Sequence, residues 1–294
     1  MTLRHLRIFI QVVKSGSVTA AAKALYLAQP AVSQAIRELE DLLGVRLFDR
    51  MSKKLYITES GKKLYAYAVS VMDLLEEMQH TVTDTQNAGV LRVGASITIG
   101  THYMPTLVKQ FAAAHPNADV RVLVSSSETI ENKVLDNELD FALIEGIAHA
   151  PQLEKWEWMQ DKLVAVCCPS HPLLLQQPVS LEQLASAPLL LREKGSGTRE
   201  LFDALLRTHN CKVTPKWEST STHALINAVR EGLGVSVLPY RLIEHELQSG
   251  QISCLTTNGF SLKRSYVLIR HKNKHLSPLM QAFIKMLKDK KAAD

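Results

Sequence analysis

A stretch of 25 residues without glycine or proline, 62–86, divides the 294-residue chain into a short N-terminal part and a long C-terminal part. Within it, apolar or threonine side chains recur at heptad spacing: Leu64, Val71, Met78 and Thr85, with Tyr67, Leu74 and Thr81 three residues after the first three. This heptad pattern is typical of a helix that pairs with a second helix. A helix packed on its own core would read similarly over two turns, but the unbroken length favours a dimerising linker.

Excess positive charge is confined to the N-terminal part. Residues 1–63 contain eleven lysines and arginines against five aspartates and glutamates, whereas the remaining residues are nearly neutral. The chain as a whole carries a formal charge of +5. Such an asymmetry is expected of a nucleic-acid-binding head on a neutral body.

The N-terminal part follows the order helix, short helix, turn, helix and basic hairpin. Gly16 stops the first helical pattern, and Ser17 is a suitable N-cap for the alanine-rich helix that follows. Pro30 suits the first turn of the third helix, because its missing N–H is not needed there. This order predicts a winged helix-turn-helix, in which the second helix of the pair enters the major groove and the wing holds phosphates.

The outward side chains of the third helix have the chemistry for reading bases. Gln29 and Gln34 can each pair with adenine, and Pro30 can pack against a thymine methyl group. Arg37 can reach a phosphate or pair with Asp41 inside the helix, and the basic wing residues are either phosphate contacts or a solvated charge run. The candidate DNA-binding residues are Ser17, Gln29, Pro30, Ser33, Gln34, Arg37, Arg50, Lys53 and Lys54.

These residues also carry a family resemblance. The segments that carry it are Leu6, Phe9, Gly16-Ser17, Ala20-Ala21-Ala22, Leu25, Gln29-Pro30-Ala31-Val32-Ser33, Ile36, Leu39-Glu40, Leu43-Gly44, Leu47-Phe48-Asp49-Arg50, Thr58 and Gly61. Together they resemble the DNA-binding domain of LysR-type transcriptional regulators over residues 1–61. The chain departs from the family at Ala28, where Ser or Thr is common, and at Gln34, where Arg is frequent. The resemblance implies an operator in double-stranded DNA, a linker helix at 62–88, and a homodimer or dimer of dimers.

From residue 90 onward, predicted strands and helices alternate, which indicates an α/β body with mostly parallel sheets. The predicted strands include 90–94, 119–124, 140–144, 163–168, 213–217 and 266–269, and a helix is expected at 101–114. The resemblance implies that residues 89–294 form an effector-binding regulatory domain of the two-lobed periplasmic-binding-protein type. Its first lobe would comprise 90–161 and 267–294, and its second lobe 162–266.

Three turns before predicted helices are rich in hydroxyls and backbone N–H groups, which makes each an anion-site candidate or an ordinary N-cap. The candidate effector-binding residues are Ser96, Thr98, Gly100, Ser125, Ser126, Glu145, Ser196, Gly197 and Thr198. Glu145 would repel a small dianion unless it is protonated, accepts a ligand proton, or accepts from Arg199 or Lys194. The resemblance to regulators of sulfur and carbon assimilation implies an inorganic sulfur oxyanion as effector, with a small carboxylate as the alternative.

Other classes of protein fit the sequence poorly. No run of apolar residues approaches the ~20 needed to span a bilayer, and the N-terminus lacks a signal peptide, so we expect a cytoplasmic protein without membrane contact. No nucleophile elbow, metal-ligand spacing or cofactor motif is present, so we expect no enzyme, metal or cofactor. Four scattered cysteines leave a redox-sensing LysR-type regulator as the alternative, although Cys211 has no obvious resolving partner.

Overall fold

A computed structural model describes residues 1–51, 54–82, 89–260 and 262–291. The chain forms two compact units, the first comprising Met1–Gly89 with Asn273–Gln281, and the second comprising Val90–Lys272 with Ala282–Asp294. None of the helices in the described ranges combines the length and the apolar character that a membrane span requires.

The first unit consists of helices and one small hairpin. Its elements are α1 (Leu3–Ser15), α2 (Val18–Ala24), α3 (Gln29–Leu43), β1 (Phe48–Met51), β2 (Lys54–Ile57) and α4 (Glu59–Val82). Gly16 ends α1 in the left-handed conformation at φ 59°, which glycine adopts without the steric cost of a Cβ. The Ser17 side chain accepts from Ala20 N and so caps α2. Both expected helix boundaries, and the winged helix-turn-helix order, are confirmed.

The linker helix α4 begins three residues earlier than predicted. Thr58 explains the earlier start, because its hydroxyl accepts from Gly61 N at 3.0 Å and its carbonyl accepts from Lys62 N at 2.9 Å. One stripe of α4 is apolar and exposed, and we call it the α4 stripe: Tyr67, Val71, Leu74 and Met78. Leu64 packs against the core of the first unit instead. Of the remaining predicted seam positions, Thr85 and the Thr81 side chain lie outside the described residues.

The second unit is built on one mixed sheet with helices on both sides. Its strands are β3 (Gly89–Ser96), β4 (Ala118–Ser125), β5 (Phe141–Glu145), β6 (Leu153–Cys167), β7 (Leu189–Arg192), β8 (Trp217–Ser219), β9 (Val235–Pro239), β10 (Ser253–Leu255) and β11 (Leu262–His271). Its helices are α5 (Ile97–His102), α6 (Met104–Ala114), α7 (Ser127–Leu135), α8 (Leu181–Ser186), α9 (Gly197–Thr208), α10 (Thr222–Arg230), α11 (Tyr240–Gln248) and α12 (Pro278–Lys291), with a 3-10 turn at Pro172–Gln176. The strand order is β4-β3-β5-β11-β6-β9-β7-β8, with β10 paired to β6.

The expectation of mostly parallel strands is wrong at the centre of the sheet. β6 and β11 are long, pair with each other antiparallel from Leu262–Leu163 to His271–Leu153, and also pair antiparallel with β9 and β5. The predicted strand 163–168 covers only the apolar end of β6, and the predicted strand 266–269 covers only the apolar middle of β11. The mostly polar residues 154–162 and 263–265 precede these runs and interrupt the apolar pattern that predicts a buried strand, so both strands are longer than expected.

Two further boundaries differ from expectation. The helix predicted at 101–114 is two helices, α5 and α6, with Pro105 in the first turn of the second, where proline is tolerated. The strand predicted at 213–217 is shorter and later, at β8, because Pro215 lacks the N–H that a ladder bond requires.

The central strand pair positions the candidate site. Asp161 on β6 lies directly opposite Arg264 on β11, and Tyr266 of β11 lies opposite Glu145 at the end of β5. The N-termini of α5 and α9 follow the ends of β3 and β7. Polar residues from five elements, β5, β6, β11, α5 and α9, are therefore available to one place in the second unit. The division of this unit into two lobes at the expected boundaries stays a prediction.

Candidate functional site

Arg264 is the centre of a buried polar cluster. Its Nε and Nη2 donate to Asp161 Oδ2 at 3.0 and 2.8 Å, and its Nη1 donates to Glu145 Oε2 at 2.5 Å. Nη1 also donates to Thr198 Oγ1 at 2.8 Å, and Nη2 to Thr98 Oγ1 at 3.0 Å. A guanidinium has five N–H donors, so all of them are engaged. We call these five residues the Arg264 cluster.

Glu145 is bound at the N-terminal end of α5. Its Oε1 accepts from Thr98 N at 2.6 Å, while its other oxygen accepts from Arg264. Burial raises the pKa of the Glu145 carboxyl, but the Arg264 charge and the hydrogen bonds from Thr98 outweigh it, so that the pKa is lowered from 4.5. The carboxylate therefore holds the position that a helix N-terminus offers to an anion.

The Arg264 cluster contains two carboxylates and one guanidinium. Burial lowers the pKa of Arg264, but the charges of Glu145 and Asp161 raise it further, so the guanidinium stays protonated. Of the ways suggested for Glu145 to be tolerated, pairing with Arg199 is wrong: Arg199 donates to Asp203 and Glu218 instead. The partner of Glu145 is Arg264, so the cluster keeps one net negative charge.

Two threonines hold the hydroxyls that face Arg264. Both Thr98, on α5, and Thr198, on α9, accept a hydrogen bond from the guanidinium through Oγ1. A hydroxyl that accepts in this way can also donate its own proton: the Thr98 side chain does so to Glu145, whose pKa it lowers, whereas Thr198 keeps its proton for another oxygen. Ser96 lies buried beside them at the N-cap of α5, and its hydroxyl also lowers the pKa of Glu145.

The other predicted residues of the three turns have different surroundings. Ser126 caps α7 by accepting from Thr129 N, and Ser127 rather than Ser126 contacts the site, donating to Glu145 O at 3.1 Å. Ser125 ends β4 and is half-buried, and Ser196 is buried at the N-cap of α9. Neither has a hydrogen bond that joins it to Arg264 among the described residues.

The two predicted glycines are explained by close packing. A Cβ on Gly100 would lie 2.5 Å from Val124 Cγ1 on β4, and a Cβ on Gly197 would lie 2.2 Å from the backbone oxygen of Glu145. Gly197 thus lets α9 begin against the end of β5, which brings Thr198 to Arg264. Gly100 has a packing role in the described structure.

Arg264 and Asp161 are not among the residues predicted from the sequence. Both lie in the polar stretches that precede the apolar runs of β6 and β11. A signal was present in β11, where Leu262, Arg264 and Tyr266 are buried and the residues between them are not. A charged residue at an inward position of an alternating strand is costly without a partner, so it marks a paired or functional group.

The candidate DNA-reading residues share the outer face of α3. Gln29, Pro30, Gln34 and Arg37 are exposed and Ser33 is half-buried. Gln34 donates to Glu38 Oε1 at 3.0 Å, and its own Oε1 accepts from Arg37 at 2.9 Å. The guanidinium of Arg37 therefore bonds Gln34 rather than Asp41 in the described structure.

The remaining DNA candidates lie at the cap of α2 and on the wing. The Ser17 hydroxyl is engaged in capping α2. Arg50 lies on β1 and Lys54 on β2, whose pairing forms the wing hairpin. The side chains of these two residues, and all of Lys53, lie outside the described residues.

The cysteines and the metal candidates form no site. Cys167, Cys168, Cys211 and Cys254 are free thiols. Burial raises the pKa of Cys167 to about 12 and also raises that of Cys254, which disfavours the reactive thiolate. Within the described ranges, no group of three His, Cys, Asp or Glu residues is arranged to hold a metal ion.

Two family models match the chain. The model described as "Bacterial regulatory helix-turn-helix protein, lysR family" matches residues 3–62, and the "LysR substrate binding domain" matches residues 84–292. The uncharacterized HTH-type transcriptional regulator YeiE of Escherichia coli (strain K12) is 39% identical over 284 residues, covering 97% of this chain and 96% of that protein.

Solved structures agree with the fold. A full-length OxyR variant from Pseudomonas aeruginosa superimposes with a TM-score of 0.73 at 24% identity, covering 99% of this chain and 94% of that chain. The CcmR regulatory domain of Synechocystis PCC6803, in complex with 2-PG, has a TM-score of 0.64 at 26% identity, covering 69% of this chain and 97% of that chain.

Proposed function

The chain belongs to the LysR family of transcriptional regulators, which are not enzymes, and from that premise we propose that a small oxyanion bound at the Arg264 cluster controls its activity on DNA. The observation that carries the proposal is the convergence of Thr98, Glu145 and Thr198 on one buried guanidinium. These three residues come from different turns of the chain. A ligand that replaces or joins their mutual contacts changes how α5 and α9 are held together.

The charge of the cluster selects the kind of anion. Because Glu145 and Asp161 already outnumber Arg264, a fully ionised dianion would meet net repulsion. An oxyanion that carries one proton can donate that proton to Glu145, which frees the Thr98 hydroxyl, and can then accept from the hydroxyls of Thr98 and Thr198. Sulfite takes up a proton near neutral pH and sulfate does not, so sulfite is the effector we favour, with a small carboxylate as runner-up.

Two of the comparisons support a small-molecule effector. The CcmR regulatory domain, which resembles the second unit, was solved with the small molecule 2-PG. The matching family model for residues 84–292 is likewise named for binding a substrate. We infer that ligand binding between the elements that carry Thr98 and Thr198 alters the closure of the regulatory domain and thereby the spacing of the DNA-binding heads.

For DNA, we propose that α3 reads the operator and the wing holds its backbone. Gln29, Pro30, Ser33 and Gln34 are the base-reading candidates, and their exposure on one face of α3 supports the role. The phosphate candidates are Ser17, Arg37, Arg50, Lys53 and Lys54. The α4 stripe supports a dimer, because two copies of a reading helix match two related half-sites, and two dimers form the expected tetramer.

A redox-sensing regulator is the second candidate function, and the raised pKa values of two of the thiols disfavour it. Cys167 is buried with a raised pKa, and Cys254 is shifted in the same direction. Sensor cysteines have lowered pKa values and solvent access. The likeness to OxyR, at 24% identity, concerns the fold.

Footprinting on the DNA upstream of the protein's own gene tests the proposed function. We expect protection of two-fold related half-sites about 10 base pairs apart, centre to centre. Sulfite should change the protected boundary or the cleavage pattern, whereas sulfate at the same ionic strength should not. A footprint that no anion or carboxylate alters, but that a thiol oxidant does, would favour the redox alternative.

A further inference from the structure

We propose a second anion site in the second unit, separate from the Arg264 cluster, which takes a small multiply charged oxyanion such as pyrophosphate. A cavity of about 380 Å³ lies where the first turn of α11 meets β6 and β11. Lys162, Arg241 and Lys263 line it, together with Tyr240 and Glu244. The volume falls within the range of ~300–1,000 Å³ that is usual for small-ligand sites.

The two lysines are placed against each other. Lys162 on β6 and Lys263 on β11 are direct cross-strand partners. Like charges directly opposite each other on a sheet are destabilising. In the described part of the chain, no carboxylate oxygen lies within 4.0 Å of a charged nitrogen of Lys162, Lys263 or Arg241, the third cation. An anion between these side chains would relieve the repulsion.

The start of α11 adds to the positive potential. Pro239 precedes the helix and provides no side-chain cap, and the first turn contains no acidic residue. The first backbone N–H groups of a helix attract anions when no side chain satisfies them. Pro239 pairs with Leu163, so the helix begins beside Lys162. Tyr240 packs its ring under that lysine, with Nζ 4.0 Å from the ring centroid.

The charge balance of the cavity fits a dianion or trianion. Among the described residues that line the cavity, Glu244 is the carboxylate that α11 contributes beside the three cations. Asp161 also lines the cavity, but both of its hydrogen bonds from Arg264 commit its carboxylate to the buried cluster. Three cations against one uncommitted carboxylate leave an excess of positive charge, which is the reverse of the Arg264 cluster.

The two lysines of the cavity and the Arg264 cluster lie on opposite faces of the same strand pair, and Asp161, a member of the cluster, also lines the cavity. Successive side chains of a strand point to opposite faces, so Lys162 and Lys263 face away from their neighbours Asp161 and Arg264. An anion held by the lysines therefore does not contact Thr98 or Thr198. This separation allows the two sites to be tested independently.

Calorimetric titration of the full chain with pyrophosphate, at fixed ionic strength, tests the second site. The double variant Lys162→Gln/Lys263→Gln should bind pyrophosphate at least about tenfold more weakly, because two charge-assisted contacts are lost. The matched control is Lys109→Gln/Lys212→Gln, which changes the net charge equally at two exposed lysines away from the cavity. The control should bind like wild type.

Two further arms keep the result decisive. Arg241→Gln, an exposed position at the start of α11, should weaken binding as well, and it serves if the double variant does not fold. Thr98→Val, at the Arg264 cluster, should leave pyrophosphate binding unchanged. Equal affinities of the lysine variant and its control would overturn the second site, and so would loss of pyrophosphate binding in Thr98→Val.

Discussion

Arg264 shows how a single residue organises a site from distant parts of the chain. A buried guanidinium is stable only if its charge is balanced and its N–H groups are bonded. Two carboxylates and two hydroxyls meet that need, and they come from β5, β6, α5 and α9. Because every donor is engaged, an arriving anion must replace a protein oxygen or use the threonine protons.

The residues of this cluster were partly predictable. Thr98, Glu145 and Thr198 follow strand ends or begin helices, and those positions are readable from turn chemistry. Arg264 and Asp161 lie within strands, where the alternation around Arg264 indicates an inward charge but does not identify its partner. Their partnership depends on the cross-strand register, which tertiary pairing sets and local pattern does not.

The acid limb of stability should depend on Glu145. Its pKa is below 4.5 in the folded protein, so its contribution is present above about pH 4.5 and is lost as the pH falls through the folded pKa. Wild type should therefore exceed Glu145→Gln in melting temperature at pH 7, and the difference should shrink below about pH 4.5. Calorimetric melting across this range, with exposed Glu138→Gln as control, measures it; a difference that grows on acidification would contradict the assignment.

At the scale of elements, sequence pattern predicted the helices better than the central strands. The caps and apolar spacing of α1, α2 and α3 are local features, and these helices lie close to their predicted places. The burial of each residue in β6 and β11 depends on which distant parts of the chain pack against the sheet there. Their antiparallel pairing could not be read from a pattern that assumed parallel strands.

The linker helix α4 exposes large apolar side chains that nothing in the described part of the chain covers. Its first turns pack on the core of the first unit, but Tyr67, Val71, Leu74 and Met78 are 43–57% exposed. A row of large apolar side chains at heptad spacing is the usual signature of a helix–helix seam. This supports the dimer expected from the sequence.

Charges placed in the α4 stripe should break the dimer. Val71→Glu/Met78→Glu would bury two carboxylates without partners, which is costly, so we expect monomers and loss of operator binding. Sedimentation velocity on the full chain measures the first effect, and a mobility-shift assay measures the second. Val71→Leu/Met78→Leu, which keeps the stripe apolar, should remain dimeric. A dimeric glutamate variant would show that the stripe is not the seam.

In the whole molecule, the excess positive charge and the buried polar cluster lie in different parts of the chain. Residues 1–63 of the first unit carry eleven lysines and arginines against five acidic residues, and the outer face of α3 is exposed, whereas the second unit holds a buried polar cluster. Composition along the chain was enough to predict this division. It could not give the effector, because the identity of a small anion depends on ångström-scale contacts between residues far apart in sequence.

Anion binding by Thr98 variants decides whether the Arg264 cluster is the effector site. In calorimetric titration of the full chain, Thr98→Val should bind sulfite at least about tenfold more weakly than wild type. The reason is that a hydrogen bond to a charged ligand contributes ~1.5–3 kcal/mol. Thr98→Ser, which keeps the hydroxyl, and Thr101→Val, an exposed site on the same helix, should bind like wild type. If Thr98→Val melts at a lower temperature yet binds sulfite as tightly as wild type, the Thr98 hydroxyl stabilises the fold without contacting sulfite. That result would contradict effector binding at the Arg264 cluster.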